Sequence, residues 1–307
     1  MIEVRNLSRY YGDFAAISNI SFSIQRHEIV GFLGLNGVGK STTLKILAGI
    51  LSPSSGEVFI DSINWLQNPD DFRAKIGYLP EEPPLYKDMT VREFLHFTAG
   101  IRNFPHSKIP ERVKYVSQIC QLSDRIDQVI DTLSLGYKKR VGIAQTIVHN
   151  PSLVILDEPT SGLDPHQMVE LRQVIKRLST EATVLLSSHN LTEVAETCDR
   201  LLILNNGKII AEGDQDSLAQ NLSNIHSSIN LTLSNVSDPD LLFQTMLDIE
   251  HFSYKTKDDH IEASLSISCS VPECIRQLVA KDVDIHKVTS TTSELESIFL
   301  SLTGGSQ

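Results

Sequence analysis

The sequence predicts an α/β protein in two parts: a larger one around a mostly parallel sheet, and a small α/β tail. Three observations lead there. Through the first 220 of the 307 residues, short apolar runs alternate with stretches of helical period, as strands and crossover helices do. One of those runs empties into a glycine-rich loop that opens a helix. Beyond residue 220 the order becomes strand, helix, two strands, helix, strand, and 12 Asp+Glu stand against 5 Lys+Arg. The expected division is therefore 1–220 and 221–307, with the boundary falling between Gly213 and Ser228.

Taken in order, residues 28–33 read as a strand and 41–50 as the helix after the glycine loop. A helical insert spans about 85–150, with helical period at 91–104 and 110–122 and a further helix at 136–148. Leu153-Val154-Ile155-Leu156 and the stretch 183–187 are short, wholly apolar or nearly so, and bounded by polar turns, as buried parallel strands are. In the tail, 229–233 alternates as a strand and 238–248 reads as a helix. A hairpin follows, 251–255 and 260–267 turning at Asp258-Asp259, then a helix at 271–280, a strand at 283–288 and a closing helix at 293–302. That βαββαβ order is the ferredoxin-like pattern.

Composition narrows the function classes. The chain is 41% hydrophobic with a net charge of −11, and its tightest basic cluster is Lys138-Lys139-Arg140, so a broad nucleic-acid-binding face is not expected. No apolar run approaches the roughly 18 residues of a membrane span, and Met1-Ile2-Glu3-Val4-Arg5 does not begin a signal peptide. The four cysteines lack a zinc or redox spacing, so reduced thiols in a cytosol are expected. Any membrane role would pass through a partner.

Gly34-Leu35-Asn36-Gly37-Val38-Gly39-Lys40-Ser41 fits G-x-x-x-x-G-K-[ST] between a strand and a helix. Glycines let such a loop wrap a phosphate chain with its N–H groups turned inward, and the helix N-terminus that includes Thr42 favours the anion. Lys40 would bridge the β- and γ-phosphates of a nucleotide, and the Ser41 hydroxyl would hold Mg²⁺. Downstream, the run 153–156 ends in Asp157 and Glu158. Asp157 at the strand end can bind Mg²⁺ through water, and Glu158 can face the attacking water as general base.

Further segments follow in one order: Tyr11-Gly12, Leu133-Ser134-Leu135-Gly136-Tyr137, Ser161-Gly162-Leu163-Asp164 and Ser187-Ser188-His189. Together with the two nucleotide motifs they resemble the ATP-binding subunit of ATP-binding cassette (ABC) transporters over about the first 215 residues. The resemblance implies a P-loop NTPase cassette with an antiparallel N-terminal β subdomain, ATP and Mg²⁺ as cofactors, and two cassettes, a homodimer or a heterodimer, closing on ATP. It implies that Tyr11 stacks on adenine and that Ser134 and Gly136 present donors to the γ-phosphate of ATP on another subunit. Asp164 would link the two sites, and His189 would contact the γ-phosphate.

Two positions depart from the common pattern. Leu135 and Tyr137 stand where the family's Leu-Ser-Gly-Gly-Gln signature has its third and fifth residues, and Glu81, after Gly77-Tyr78-Leu79-Pro80, stands where most relatives have Gln. A carboxylate there can still ligate Mg²⁺ or a water, but adds charge beside the triphosphate. These features, with Pro83-Pro84-Leu85-Tyr86, Met89-Thr90-Val91-Arg92-Glu93-Phe94 and the helix ending Ser297-Ile298-Phe299-Leu300, resemble the multidrug and gliding-motility-associated branch. Members of that branch partner with a separately encoded membrane permease of the ABC-2 exporter type. The expected place is therefore cytoplasmic and peripheral, at the inner face of the membrane. The alternative is a soluble ABC-type switch in translation or DNA repair. Against it, one cassette is present rather than two, no sustained heptads separate Ser41 from Leu133, and zinc-type Cys pairs are lacking.

Overall fold

The computed structural model describes residues 2–214, 217–218, 227–236, 238–246, 249–257, 260–267, 269 and 271–290. The chain forms two compact units, Met1–Glu212 and Gly213–Gln307.

The first unit opens on a hairpin of β1 (Ile2–Tyr11) and β2 (Phe14–Ile24), antiparallel and closed by Gly12 at φ 58°. With β4 (Ser55–Ile60) and β5 (Ile63–Asn64) it makes a four-stranded sheet in the order β2-β1-β4-β5. The larger sheet is built on β3 (Ile29–Leu33), β6 (Ile76–Leu79), β7 (Leu153–Leu156), β8 (Thr183–Ser188), β9 (Arg200–Asn205) and β10 (Lys208–Gly213). Its order is β10-β9-β3-β8-β7-β6, and β3, β6, β7, β8 and β9 run parallel to their bonded neighbours among themselves. Every residue of β3, β7 and β8 is buried, which covering both faces of a parallel sheet requires. Helix α1 (Lys40–Leu47) puts Leu44, Ile46 and Leu47 into one core with Val4, Leu7, Ile17 and Ile20 of the smaller sheet and Val30, Phe32, Leu202 and Leu204 of the larger.

Parallel register does the functional work here. Leu33 pairs with Ser188 and Leu156 with Leu186, so the ends of β3, β7 and β8 lie side by side. Whatever follows those strands shares one edge, the edge where open α/β sheets place their ligands.

Helices α3 (Val91–Ile101), α4 (Ile109–Ile119) and α5 (Leu135–Ile147) occupy the expected insert, after the short α2 (Pro69–Ala74). A capping box between Thr90 and Glu93 starts α3. The helices expected at 41–50, 91–104 and 110–122 each stop three residues early. In each case a left-handed residue follows: Gly49 (φ 69°), Asn103 (φ 56°) and Gln121 (φ 56°). Apolar periodicity runs past such a stop without registering it. Helices α6 (Pro165–Leu178) and α7 (Leu191–Thr197) complete the unit. No described helix is long and apolar enough to cross a membrane.

The second unit runs β11 (Ser227–Ser234), α8 (Pro239–Gln244), β12 (Ile249–Lys257), β13 (His260–Ile267), α9 (Val271–Val279) and β14 (Asp284–Ser290). Its antiparallel sheet has the order β12-β13-β11-β14, the ferredoxin-like arrangement. Ile229, Leu231, Leu233, Ile261, Ala263, Leu265 and Ile267 form one buried face with Phe243, Cys274 and Leu278 of the helices. The expected helix at 238–248 is shorter: Asp238 is its N-cap, accepting the Leu241 N–H, and Thr245 its C-cap. The closing helix at 293–302 and the turn at 258–259 lie outside the described residues.

Candidate active site

The loop after β3 turns through left-handed backbone at Gly37 (φ 83°) and Gly39 (φ 111°) before α1 begins. A Cβ on Gly37 would stand in open space, whereas one on Gly39 would lie 2.5 Å from the Ala16 carbonyl oxygen. The first glycine allows the left-handed turn, and the second lets the loop lie against the β2 strand. Lys40 is buried, and its ammonium donates to the carbonyls of Gly34 (2.6 Å) and Leu35 (3.2 Å). Burial pushes its pKa down, while the carboxylates of Glu158, Asp157 and Glu81 pull it back up.

A cavity of about 390 Å³ opens above this loop. Asn36, Gly37, Gly39, Lys40, Ser41 and Thr42 line it together with Glu81, Glu158, His189 and Tyr11. Ten residues expected from the sequence thus meet in one place. Gly34 lies beneath the loop rather than in the cavity: a Cβ there would stand 2.7 Å from the Leu204 carbonyl oxygen.

Asp157 and Glu158 are placed by a side chain the sequence reading passed over. The Ser187 hydroxyl donates to Asp157 Oδ1 at 2.6 Å and accepts the Glu158 N–H at 2.9 Å, so one buried serine orients both acids. Ser41 Oγ donates to the same Asp157 oxygen at 3.3 Å. Glu158 sits at φ 45°, a left-handed conformation that L-residues adopt only under constraint from their surroundings. Its carboxylate lies 3.7 Å from the Lys40 ammonium and 2.9 Å from His189 Nδ1. His189, expected to face phosphate, is therefore paired with the general-base candidate in this structure. Next to Asp157, Tyr78 is pushed up to about 12 by burial and by that carboxylate's charge.

Phe14 also lines the cavity and was not anticipated. It stands opposite Tyr11 in the hairpin register, and both rings are exposed. The Arg9 guanidinium lies over the Tyr11 ring at 4.8 Å. Two exposed aromatics beside a phosphate cradle suit a flat, π-rich base.

Ser134, Gly136 and Asp164 do not line the cavity. Ser134 is the N-cap of α5, exposed, and its hydroxyl bonds no backbone N–H of the helix it caps. Gly136 is buried under Gln167, whose side chain a Cβ would meet at 3.0 Å. Asp164 caps α6 by accepting the Gln167 N–H at 2.9 Å.

Comparison with known proteins agrees with this geometry. The model of the ABC transporter family matches residues 17–161. The bacitracin transport ATP-binding protein BcrA of Bacillus licheniformis is 32% identical over 99% of this chain and 98% of its own length. The linearmycin resistance ATP-binding protein LnrL of Bacillus subtilis is 30% identical over 99% and 98%. Among solved structures, a dimeric bacterial ABC transporter cassette, MJ0796, superposes with a TM-score of 0.63 at 26% identity, covering 70% of this chain and 98% of that one. The chain belongs to the ABC transporter family, as one of its ATP-binding, ATP-hydrolysing subunits.

Proposed function

We propose that two cassettes close around ATP and reopen on hydrolysis, and that a separately encoded ABC-2-type permease turns this cycle into export. The observation that carries the reading is the division of the site. The loop, Glu81, Glu158 and His189 share one cavity, with Asp157 bonded to Ser41 behind it, while Ser134 and Gly136 stand outside it with an uncommitted hydroxyl at a helix N-terminus. A second cassette, a copy of this chain or a homologue, would bring that N-terminus to the γ-phosphate. Residues 1–220 make up the nucleotide-binding domain on this reading, and 221–307 an accessory unit for regulation or partner contact.

Each side chain then has a task. Backbone N–H groups of the loop and the Lys40 ammonium hold the phosphates. Glu158 takes the proton of the attacking water, and His189, bonded to Glu158 through Nδ1, keeps Nε2 free for the γ-phosphate. Tyr11 and Phe14 hold the base. Ser41, Asp157 and Glu81 supply the hydroxyl and carboxylate oxygens that Mg²⁺ prefers, and an ion that relies on one or two protein ligands plus substrate phosphates fits this sparse set. Mg²⁺ there would neutralise charge on the β- and γ-phosphates. Transport and resistance in the relatives' names support export, and the inner face of the membrane is where such a subunit meets its permease.

A mixing experiment tests the division. Lys40→Ala and Ser134→Arg chains should each be inactive alone. Mixed, they should regain ATPase activity, because one site of the mixed dimer joins an intact loop to an intact Ser134. Mixtures no more active than their components, or a wild-type rate per chain that is independent of dilution, would refute the shared site.

A further inference from the structure

Lys40 and Lys139 are the two buried lysines among the described residues. The phosphate loop accounts for the first. Lys139 lies on α5, 3% exposed, and its ammonium donates to the Glu81 carbonyl at 2.6 Å and the Glu158 carbonyl at 3.4 Å. Those two residues also give their side chains to the cavity. An ammonium in such a place costs free energy that an apolar side chain would avoid, so its retention calls for a function.

We infer that Lys139 is a positioning residue for hydrolysis. Its ammonium ties the Glu81 loop to the strand end bearing Glu158, and so makes the placement of both carboxylates depend on the helix that begins at Ser134. Two features make the link mechanical. Helix α5 packs so closely on β6 and the loop after it that a Cβ on Gly77 would stand 2.0 Å from the Thr146 carbonyl oxygen. One on Gly142 would meet Leu79 at 2.8 Å and Pro83 at 2.9 Å. A shift of α5 therefore carries the loop with it. The third feature is charge. Glu81, Glu82, Asp157 and Glu158 all act on Lys139, and three of them also act on Lys40. Once Lys40 holds phosphate, Lys139 is the cation that stays with the carboxylates. It offsets the charge that Glu81 adds beside a triphosphate, and a signal arriving at Ser134 reaches Glu158 through it.

This inference rests on the ATPase reading above, and the test separates the two. ATPase activity, KM for ATP and melting temperature are measured for wild type, Lys139→Met, Lys139→Arg, Glu81→Gln and Lys139→Met/Glu81→Gln. Lys139→Met should lower kcat by about tenfold or more, with KM changed less than about threefold. Glu81→Gln should restore part of that loss in the Lys139→Met background, though it gains nothing in the wild type. Should Lys139→Met fail to fold, Lys139→Arg, which keeps charge and donors, should stay within about fivefold of wild type. The inference is overturned if Lys139→Met keeps its kcat, or if its loss is the same with Glu or Gln at 81. It is also overturned if a folded Lys139→Arg chain is inactive. A wild-type chain that hydrolyses no ATP removes the functional reading and this inference together; an active wild type with an unaffected Lys139→Met removes the inference alone.

Discussion

The strands β3, β7 and β8 of the first unit are buried from end to end, whereas β11 and β13 of the second bury every other residue. The difference decides where chemistry can occur. A strand covered on both faces has no room for polar groups along its length, so those of the first unit collect where the strands stop: the phosphate loop after Leu33, Asp157 after Leu156, and Ser187–His189 as β8 ends. Parallel register sets those stops side by side. In the second unit polar side chains alternate along the strands of an antiparallel sheet, and Asn230, Thr232, Ser264 and Lys287 line a cavity of about 370 Å³ on its face, away from any convergence of strand ends. Alternation makes a stable platform; shared strand ends make a reaction site.

Four measurements would break or sharpen that contrast. Glu158→Gln keeps the shape of the side chain and loses its basicity, so ATPase activity should fall about 10²–10⁴-fold while ATP binding survives. A wild-type rate would remove the general base from the strand end. Next in size, Leu231→Ala cuts into the second unit's core and should cost that unit about 2–5 kcal/mol in denaturant unfolding, with ATP binding unchanged. Weaker nucleotide binding in that variant would mean the platform takes part in the chemistry after all. Ser187→Ala removes the partner that Asp157 Oδ1 and the Glu158 N–H share and should cost about 1–3 kcal/mol, read as an about 5- to 150-fold loss of kcat. Activity within twofold of wild type would show that the acids hold position unaided.

The most gradual effect concerns pH. Burial, with the Arg102 and Arg112 charges opposing a backbone bond to Ile76, pushes His149 down to about 4 in the folded protein. The unfolded chain takes up that proton near 6.5. Stability is therefore intact above pH 6.5 and should fall by about 1.4 kcal/mol per unit between 6.5 and 4. His149→Gln should flatten that slope in a pH series of melting curves. An unchanged slope would assign the acid sensitivity to other groups.

The parts of the site legible in the sequence were those whose partners are near in the chain or fixed by a motif. The glycine loop with Lys40 and Ser41 is one such part, and the acids closing an apolar run are another. What escaped depends on register and packing. Phe14 reaches the cavity because the hairpin sets it opposite Tyr11. Ser187 meets Asp157 across 30 residues because β7 and β8 are neighbours. Lys139 finds the Glu81 carbonyl 58 residues away through the packing of α5 on β6. His189 also meets Glu158, a pairing that only the relative heights of two strand ends could disclose. In the fold, the mostly parallel sheet and the ferredoxin-like tail followed from alternation, while helix ends did not, since Asn103 and Gln121 stop a helix by backbone conformation rather than by hydrophobic pattern.

The phosphate loop is braced both by its neighbours and from within. Gly39 lies against the Ala16 carbonyl, the Val38 carbonyl accepts the Gly207 N–H at 3.1 Å, and Lys40 is folded onto Gly34 and Leu35. A receptor already in its binding shape loses little freedom when filled. It also gains little by letting go. A loop that held the α- and β-phosphates would hold them alike before and after cleavage, and ADP would then compete with fresh ATP for the same seat. Such a loop would make turnover sensitive to the ADP:ATP ratio, slowing the subunit by product inhibition when energy is short.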